Sequence, residues 1–165
     1  MCNVASVDHD GLEAFLRFGV CGKQLGTVTV SDQRAALNAT WVASVSAASG
    51  GFTTGGGTAA ETIPNSAVLY WSGPATATTG TGTFGAGQAN AAAAETLAAT
   101  RTAFSKTTGS GDDSAAWNPT LVINVPDAAV AGTYTGTVLR RVMRSSFPPA
   151  WPPTWAEDPR WGLYG

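Results

Sequence analysis

Short runs of alternating apolar and polar residues occupy the middle of the chain and predict β-strands. Residues 26–30 alternate cleanly, and in residues 41–47 the apolar side chains fall mainly on one face. The clearest run is 120–125, where apolar side chains take every second position, and further runs cover 67–71 and 131–138. These patterns predict several short strands that each bury one face.

Turn-forming residues separate these runs. Residues 31–38 predict a hairpin-like connection, 49–57 predict a flexible glycine-rich loop around Phe52, and 109–114 predict a turn. The alanine-rich segment 91–99 alone has helical propensity, so it is interpreted as one short helix or a loop. Short strands joined by turns favour a β-sandwich over a helical or alternating α/β layout.

Changes in composition divide the chain into three zones. Residues 1–24 lack sustained strand patterning and are predicted to be an irregular N-terminal segment. Residues 25–139 are predicted to form an all-β domain, a single β-sandwich of short antiparallel strands. Residues 140–165 are rich in Arg, Pro and Trp, and this abrupt change predicts a disordered tail.

Composition places the chain among secreted β-proteins. Its 165 residues are enough for one ordinary domain, and only 12% of them are charged, against about 25% in a typical domain. The formal net charge of −2 provides no overall basic field. Nucleic acid and an anionic membrane are therefore not expected as main partners.

Cysteine content and hydropathy limit the class further. Cys2 and Cys21 lie outside the predicted core, so they support neither a disulfide framework nor a zinc site. No apolar run is long enough to predict a membrane span, and the N-terminus lacks the pattern of an export signal. An extracellular location is nevertheless expected from the composition.

Residues suited to catalysis are few. His9 is the sole histidine and lies in the N-terminal zone, so no Ser-His-Asp or Cys-His arrangement is predicted. The carboxylates of the middle zone are scattered among turns: Asp32, Glu61, Glu95, Asp112, Asp113 and Asp127. We therefore expect no enzyme, no cofactor and no metal site. The enzyme alternative would depend on Asp112, Asp113 or Glu61, and a calcium-binding role for residues 111–114 is less favoured than a solvated turn.

Four aromatic residues are the candidate ligand-binding residues. An indole face stacks on the apolar face of a sugar ring, so Trp41, Trp71 and Trp117 would suit a glycan platform, with Tyr134 as a fourth contact. Core packing is the favoured alternative for Trp41 and Trp71. Trp117 stands beside Asn118 at the entrance of a strand and is predicted to be partly exposed.

Six ordered segments resemble the WxL domain of Gram-positive, actinobacterial-type cell-surface proteins. The segments are 25–34, 40–45, 52–57, 117–121, 125–126 and 131–138. The sequence departs from the family pattern at two places. Ala43 replaces the leucine of the namesake motif. A second tryptophan motif is expected near the closing strand, and residues 138–141 (Val-Leu-Arg-Arg) occupy its place. The resemblance implies non-covalent attachment to peptidoglycan at the cell surface.

The sequence therefore predicts a non-catalytic, cell-wall-associated domain that binds peptidoglycan. The alternative is a structural subunit that packs against other cell-surface proteins through strand edges and the Pro/Trp-rich tail, without affinity for the wall.

Overall fold

The computed structural model describes residues 3–7, 11–16 and 20–145, with side chains described from Gly22 onward. These residues form an all-β fold of sixteen strands with three single-turn 3₁₀ helices. The strands are β1 Asn3–Val7, β2 Gly11–Leu16, β3 Val20–Gln24, β4 Val28–Asp32, β5 Trp41–Ala47, β6 Phe52–Thr53, β7 Thr62–Ile63, β8 Val68–Trp71, β9 Ala75–Thr79, β10 Phe84–Ala86, β11 Glu95–Thr96, β12 Arg101–Lys106, β13 Asp113–Trp117, β14 Thr120–Asn124, β15 Gly132–Gly136 and β16 Val138–Arg144. The 3₁₀ helices are Ala59–Glu61, Asn65–Ala67 and Ala91–Ala93.

The strands are arranged in four antiparallel sheets. Sheet A has the order β1-β2-β15-β6-β7, sheet B β11-β8-β14-β3, sheet C β4-β13-β9 and sheet D β10-β12-β5-β16. Most of these neighbours are distant in sequence. The last described strand, β16, pairs with β5, and β14 and β15 pair with the early strands β3 and β2.

One apolar core lies between the sheets. Alternation predicts its members well: Trp41, Ala43 and Val45 are buried along β5, and Leu121 and Ile123 are buried along β14. The largest buried side chains form an aromatic row. The Phe104 ring stacks on the Trp117 ring at 4.7 Å between centroids and lies 6.4 Å from the Trp41 ring.

The prediction of an irregular N-terminal segment was wrong for the described parts of residues 1–24. β1, β2 and β3 are strands, and β3 pairs with the whole of β14. β2 and β3 each pair with a strand from much later in the chain, β15 and β14, so backbone hydrogen bonds to distant strands stabilise them although their own alternation is weak.

The prediction of a disordered tail from residue 140 was wrong for residues 140–144. They continue β16, which pairs with β5 in unbroken register from Val138 opposite Ala47 to Arg144 opposite Trp41. The remainder of the predicted tail, residues 146–165, lies outside the described residues.

Two local predictions differ from the structure, and a third is confirmed in part. β4 and β5 do not form a hairpin, because β4 pairs with β13 in sheet C while β5 lies in sheet D. The predicted loop around Phe52 contains strand β6, with the Phe52 ring fully buried. The alanine-rich segment forms one 3₁₀ turn, capped by the Asn90 side chain, before β11 begins.

No helix in the described part of the chain is long and apolar enough to cross a membrane.

Candidate functional site

The structure buries three of the four aromatic residues predicted to bind a ligand. Trp41, Trp117 and Tyr134 are each 1% exposed. A ring packed in the core offers no face to a sugar, so this prediction was wrong for all three, as was the partial exposure predicted for Trp117. Trp71 is half-buried, and its ligand-binding role stays a prediction.

Sheets C and D bring five charged side chains together, which we call the inter-sheet charge cluster. Its members are Asp32 and Asp113 from sheet C, Lys106 and Arg144 from sheet D, and Arg34 from the loop after β4. Strand register explains the meeting. In sheet C, Asp113 lies directly opposite Asp32. In sheet D, Trp41 of β5 lies between Lys106 on one neighbouring strand and Arg144 on the other. Three cations therefore face two carboxylates.

The inner part of the cluster is a fully buried ion pair. Lys106 Nζ lies 2.5 Å from Asp113 Oδ2, and both side chains have no exposed surface. The second oxygen of Asp113 accepts a hydrogen bond of 2.9 Å from the Trp41 indole Nε1–H. Burial of two charges is costly unless they are paired and hydrogen-bonded, and this geometry supplies both conditions.

The outer part of the cluster is an ion pair that reaches solvent. The Arg34 guanidinium donates to both oxygens of Asp32, with Nε at 2.7 Å from Oδ1 and Nη2 at 2.5 Å from Oδ2. Arg34 also donates to the carbonyl oxygens of Ser145 and Thr40. The hydrogen bonds from Arg34 hold the pKa of the Asp32 carboxyl below its usual value, although burial opposes this shift.

An open depression of about 460 Å³ lies over the outer part of the cluster. Ser31, Asp32, Gln33, Arg34 and Arg144 line it. The positive charge of Arg144 also lowers the pKa of Asp32, and its guanidinium donates a hydrogen bond of 3.3 Å to the Ser31 carbonyl. Because Asp32 already accepts from Arg34, the exposed Arg144 gives the depression an excess of positive charge.

Two more arginines extend this positive charge along β16, and we call Arg140, Arg141 and Arg144 the basic edge. β16 is an edge strand of sheet D, and among the described strands it pairs only with β5. All three arginines are exposed. Large apolar side chains of the same strand are also exposed: Leu139 by 47%, Val142 by 40% and Met143 by 52%.

The carboxylates considered for catalysis or calcium binding have separate roles. Glu61 accepts hydrogen bonds from the Thr58 hydroxyl and backbone N–H, so it closes the turn that begins the first 3₁₀ helix. Asp112 accepts from the backbone N–H of Ala35, whereas Asp113 points into the core. Within the described residues, no three His, Cys, Asp or Glu side chains lie close enough together to hold a metal ion.

Sequence reasoning missed the roles of Arg34, Lys106 and Arg144, although a signal for Lys106 is present. Lys106 follows Phe104 at a spacing of two, and both side chains are buried on β12. A charged residue on the apolar face of a strand indicates a buried partner. Asp113 shows the same signal, because it is in phase with the buried Ala115 and Trp117 of β13.

Comparisons with protein-family models, curated proteins and solved structures find no match. The resemblance to WxL domains therefore stays a prediction.

Proposed function

We propose that this protein is a non-catalytic extracellular domain that attaches non-covalently to the bacterial cell wall through the basic edge. The observation that supports the proposal is the presence of three exposed arginines on the edge strand β16, of which Arg144 also lines the depression. Cell-wall polymers carry many carboxylate and phosphate groups, and the arginine guanidinium suits both because it donates parallel hydrogen bonds.

The local nature of the charge also supports this proposal. The whole chain has a formal net charge of −2, so the three arginines concentrate positive charge at one sheet edge of a chain with no overall basic field. Such a local concentration of charge would orient the domain against an anionic polymer by long-range attraction. With three of the predicted aromatic contacts buried, electrostatic attraction is the better-supported mode of binding.

Sedimentation of the full chain with purified peptidoglycan sacculi tests the proposal. Replacing Arg140, Arg141 and Arg144 together by glutamine is expected to weaken binding at least about tenfold, since each cation near an anionic surface contributes about 1 kcal/mol. Binding is also expected to fall with added salt, because the screening length shrinks from about 8 Å at 0.15 M to about 3 Å at 1 M.

The matched control is Arg101→Gln. Arg101 also belongs to sheet D, but it pairs with Glu95 at 3.2 Å and lies on β12, which β5 separates from β16. This variant is expected to sediment like the wild type. Wild-type protein that stays in the supernatant at low salt would contradict the proposal, as would equal losses in the two variants.

A second candidate function is assembly with other surface proteins, and the exposed apolar residues of β16 favour it. Leu139, Val142 and Met143 lie on a strand whose outer edge has no described partner. Free strand edges of this kind pair readily with a strand from another chain.

Light scattering over a range of protein concentrations distinguishes the second candidate. Assembly through β16 predicts a mass that rises with concentration, and Val142→Lys with Met143→Lys is expected to abolish the rise. Val130→Lys is the matched control, because Val130 is 44% exposed but lies in the loop before β15 of sheet A. A constant monomer mass combined with wall binding would select the first candidate.

A further inference from the structure

The buried pair of Lys106 and Asp113 has the arrangement of a reactive amine and its acceptor. Lys106 Nζ lies 2.5 Å from Asp113 Oδ2, and neither side chain has exposed surface. The pair joins β12 of sheet D to β13 of sheet C. A covalent bond here would therefore connect two sheets of the core.

The surroundings of the pair are apolar and closely packed. The Trp41 and Phe104 rings are buried beside it in the core cluster, with 6.4 Å between their centroids. Gly82 approaches so closely that a Cβ there would lie 2.8 Å from Lys106 Cε. In such a dry site, a neutral amide would remove the cost of burying two charges. The reaction begins with transfer of one proton from the Lys106 ammonium to Oδ2 of Asp113, which gives a nucleophilic amine beside a carboxylic acid.

We infer that Lys106 and Asp113 form an intramolecular amide bond between Nζ and the side-chain carboxyl carbon Cγ. The lone pair of the amine attacks Cγ, and the oxygen that becomes negatively charged is Oδ1, which accepts from the Trp41 indole N–H at 2.9 Å. A second proton then moves from nitrogen to Oδ2. The Cγ–Oδ2 bond breaks, and one water molecule leaves.

The reaction is balanced without any other reactant. One amine and one carboxylic acid give one amide and one water, and no atom is oxidised or reduced. No external group is needed to activate the carboxyl, because the Lys106 amine is held in contact with it and reacts as if it were present at very high concentration. Trp41 is the residue that orients the acceptor and stabilises the developing charge.

The intact mass of the denatured full chain tests this inference. An amide bond predicts a mass lower than that of the sequence by one water, whereas an ion pair leaves the mass unchanged. Trypsin then locates the loss. An unmodified chain is cut after Lys106, but an amide at Nζ blocks this cut and leaves one dehydrated peptide of residues 102–140.

The digestion separates the amide from the most similar alternative. Asp113 precedes Ser114, and cyclisation of an aspartate on the following backbone nitrogen also removes one water. That product leaves the Lys106 amine free, so trypsin still cuts there. A dehydrated chain that is cut after Lys106, or a wild-type chain with the full sequence mass, would overturn the inference.

Two variants complete the test. Lys106→Arg keeps a cation beside Asp113 but lacks the amine, so it is expected to fold and to show the full mass of its sequence. Lys23→Arg replaces the only other lysine and is expected to keep the loss of water. Water loss that persists in Lys106→Arg would place the modification elsewhere and refute the assignment.

Discussion

At the scale of residues, the two core carboxylates are held by different cations. Asp113 is paired inside the core with Lys106, and Asp32 is paired at the edge of the core with Arg34. The pairs are distinct because Arg34 reaches Asp32 from only two residues away, whereas Lys106 reaches Asp113 across the gap between sheets. The inner pair connects elements of the fold, and the outer pair anchors the loop after β4.

The pair of Asp32 and Arg34 is expected to make the free energy of unfolding depend on pH in the acidic range. Because Arg34 lowers the pKa of Asp32 in the folded state, the pair contributes its full stabilisation above the unfolded pKa of about 4. That stabilisation is lost as the pH falls through the lowered folded pKa. Arg34→Met is expected to reduce the free energy of unfolding by roughly 1–3 kcal/mol at neutral pH, and by much less in strong acid.

Urea unfolding at the two pH values measures this difference. Arg101→Met is the control, since its partner Glu95 is largely exposed and such pairs contribute about 1 kcal/mol or less. A loss of stability in Arg34→Met that is as large in acid as at neutral pH would show that the pairing of Asp32 is not its cause.

The buried Tyr70 phenol is expected to make the free energy of unfolding depend on pH in the alkaline range. Burial raises the pKa of the Tyr70 phenol to about 12, whereas an unfolded tyrosine ionises near about 10. Between these values the unfolded chain loses a proton that the folded chain keeps, so stability falls as the pH rises. The wild type is expected to lose roughly 3 kcal/mol over this range through Tyr70.

Tyr70→Phe removes this contribution while keeping the ring in the core. The difference in unfolding free energy between wild type and variant should therefore shift in favour of the variant from about pH 10 to pH 12. Unfolding in urea across this range measures the shift. Parallel pH profiles for the two proteins would refute the prediction.

At the scale of elements, β15 shows how a strand can depend on a missing side chain. Gly136 lies against the buried Phe52, and a Cβ at this position would approach the Phe52 ring to 2.6 Å. Phe52 belongs to β6, which pairs with β15 through Thr53 and Thr135. The glycine therefore allows the short strand β6 to pack its ring against β15.

Gly136→Ala is expected to destabilise the protein by roughly 1–3 kcal/mol, because a buried ring must shift to admit the methyl group. Thermal unfolding measures the loss. Gly85→Ala is the matched control, also within a strand, where the new Cβ would meet only the Ser105 hydroxyl oxygen at an ordinary 3.7 Å. Equal losses in the two variants would contradict a specific role for the contact with Phe52.

At the scale of the whole molecule, strands from both ends of the described chain complete the sheets. β2 pairs with β15, β3 pairs with β14, and β16 pairs with β5. The segment 25–139, which sequence patterning predicts as the domain, lacks β1, β2, β3 and most of β16. It would leave edges of β14, β15 and β5 without their partners.

A fragment of residues 25–139 is therefore expected to be much less stable than the full chain. Each lost strand removes a ladder of backbone hydrogen bonds from a sheet that the core needs. Circular dichroism and urea unfolding of the fragment and the full chain measure the difference. Equal unfolding midpoints would show that residues 25–139 form an independent domain.

Sequence alone determined the fold class and much of the core. Alternation at a spacing of two placed Trp41 and Val45 on the buried face of β5, and Leu121 and Ile123 on that of β14, because side chains of a strand point to opposite sides in turn. This rule is local, so it requires no knowledge of the neighbouring strands. It also made core packing the favoured interpretation for Trp41.

Only the tertiary structure decided which strands are neighbours and where the charges meet. Sheet D brings Lys106 and Arg144 to opposite sides of Trp41, and sheet C supplies Asp113 and Asp32. Pairing between strands distant in sequence depends on the packing of the whole core, which no local pattern records. For this reason the charge cluster and the basic edge emerged from the structure, while alternation along the chain predicted the buried faces of the strands.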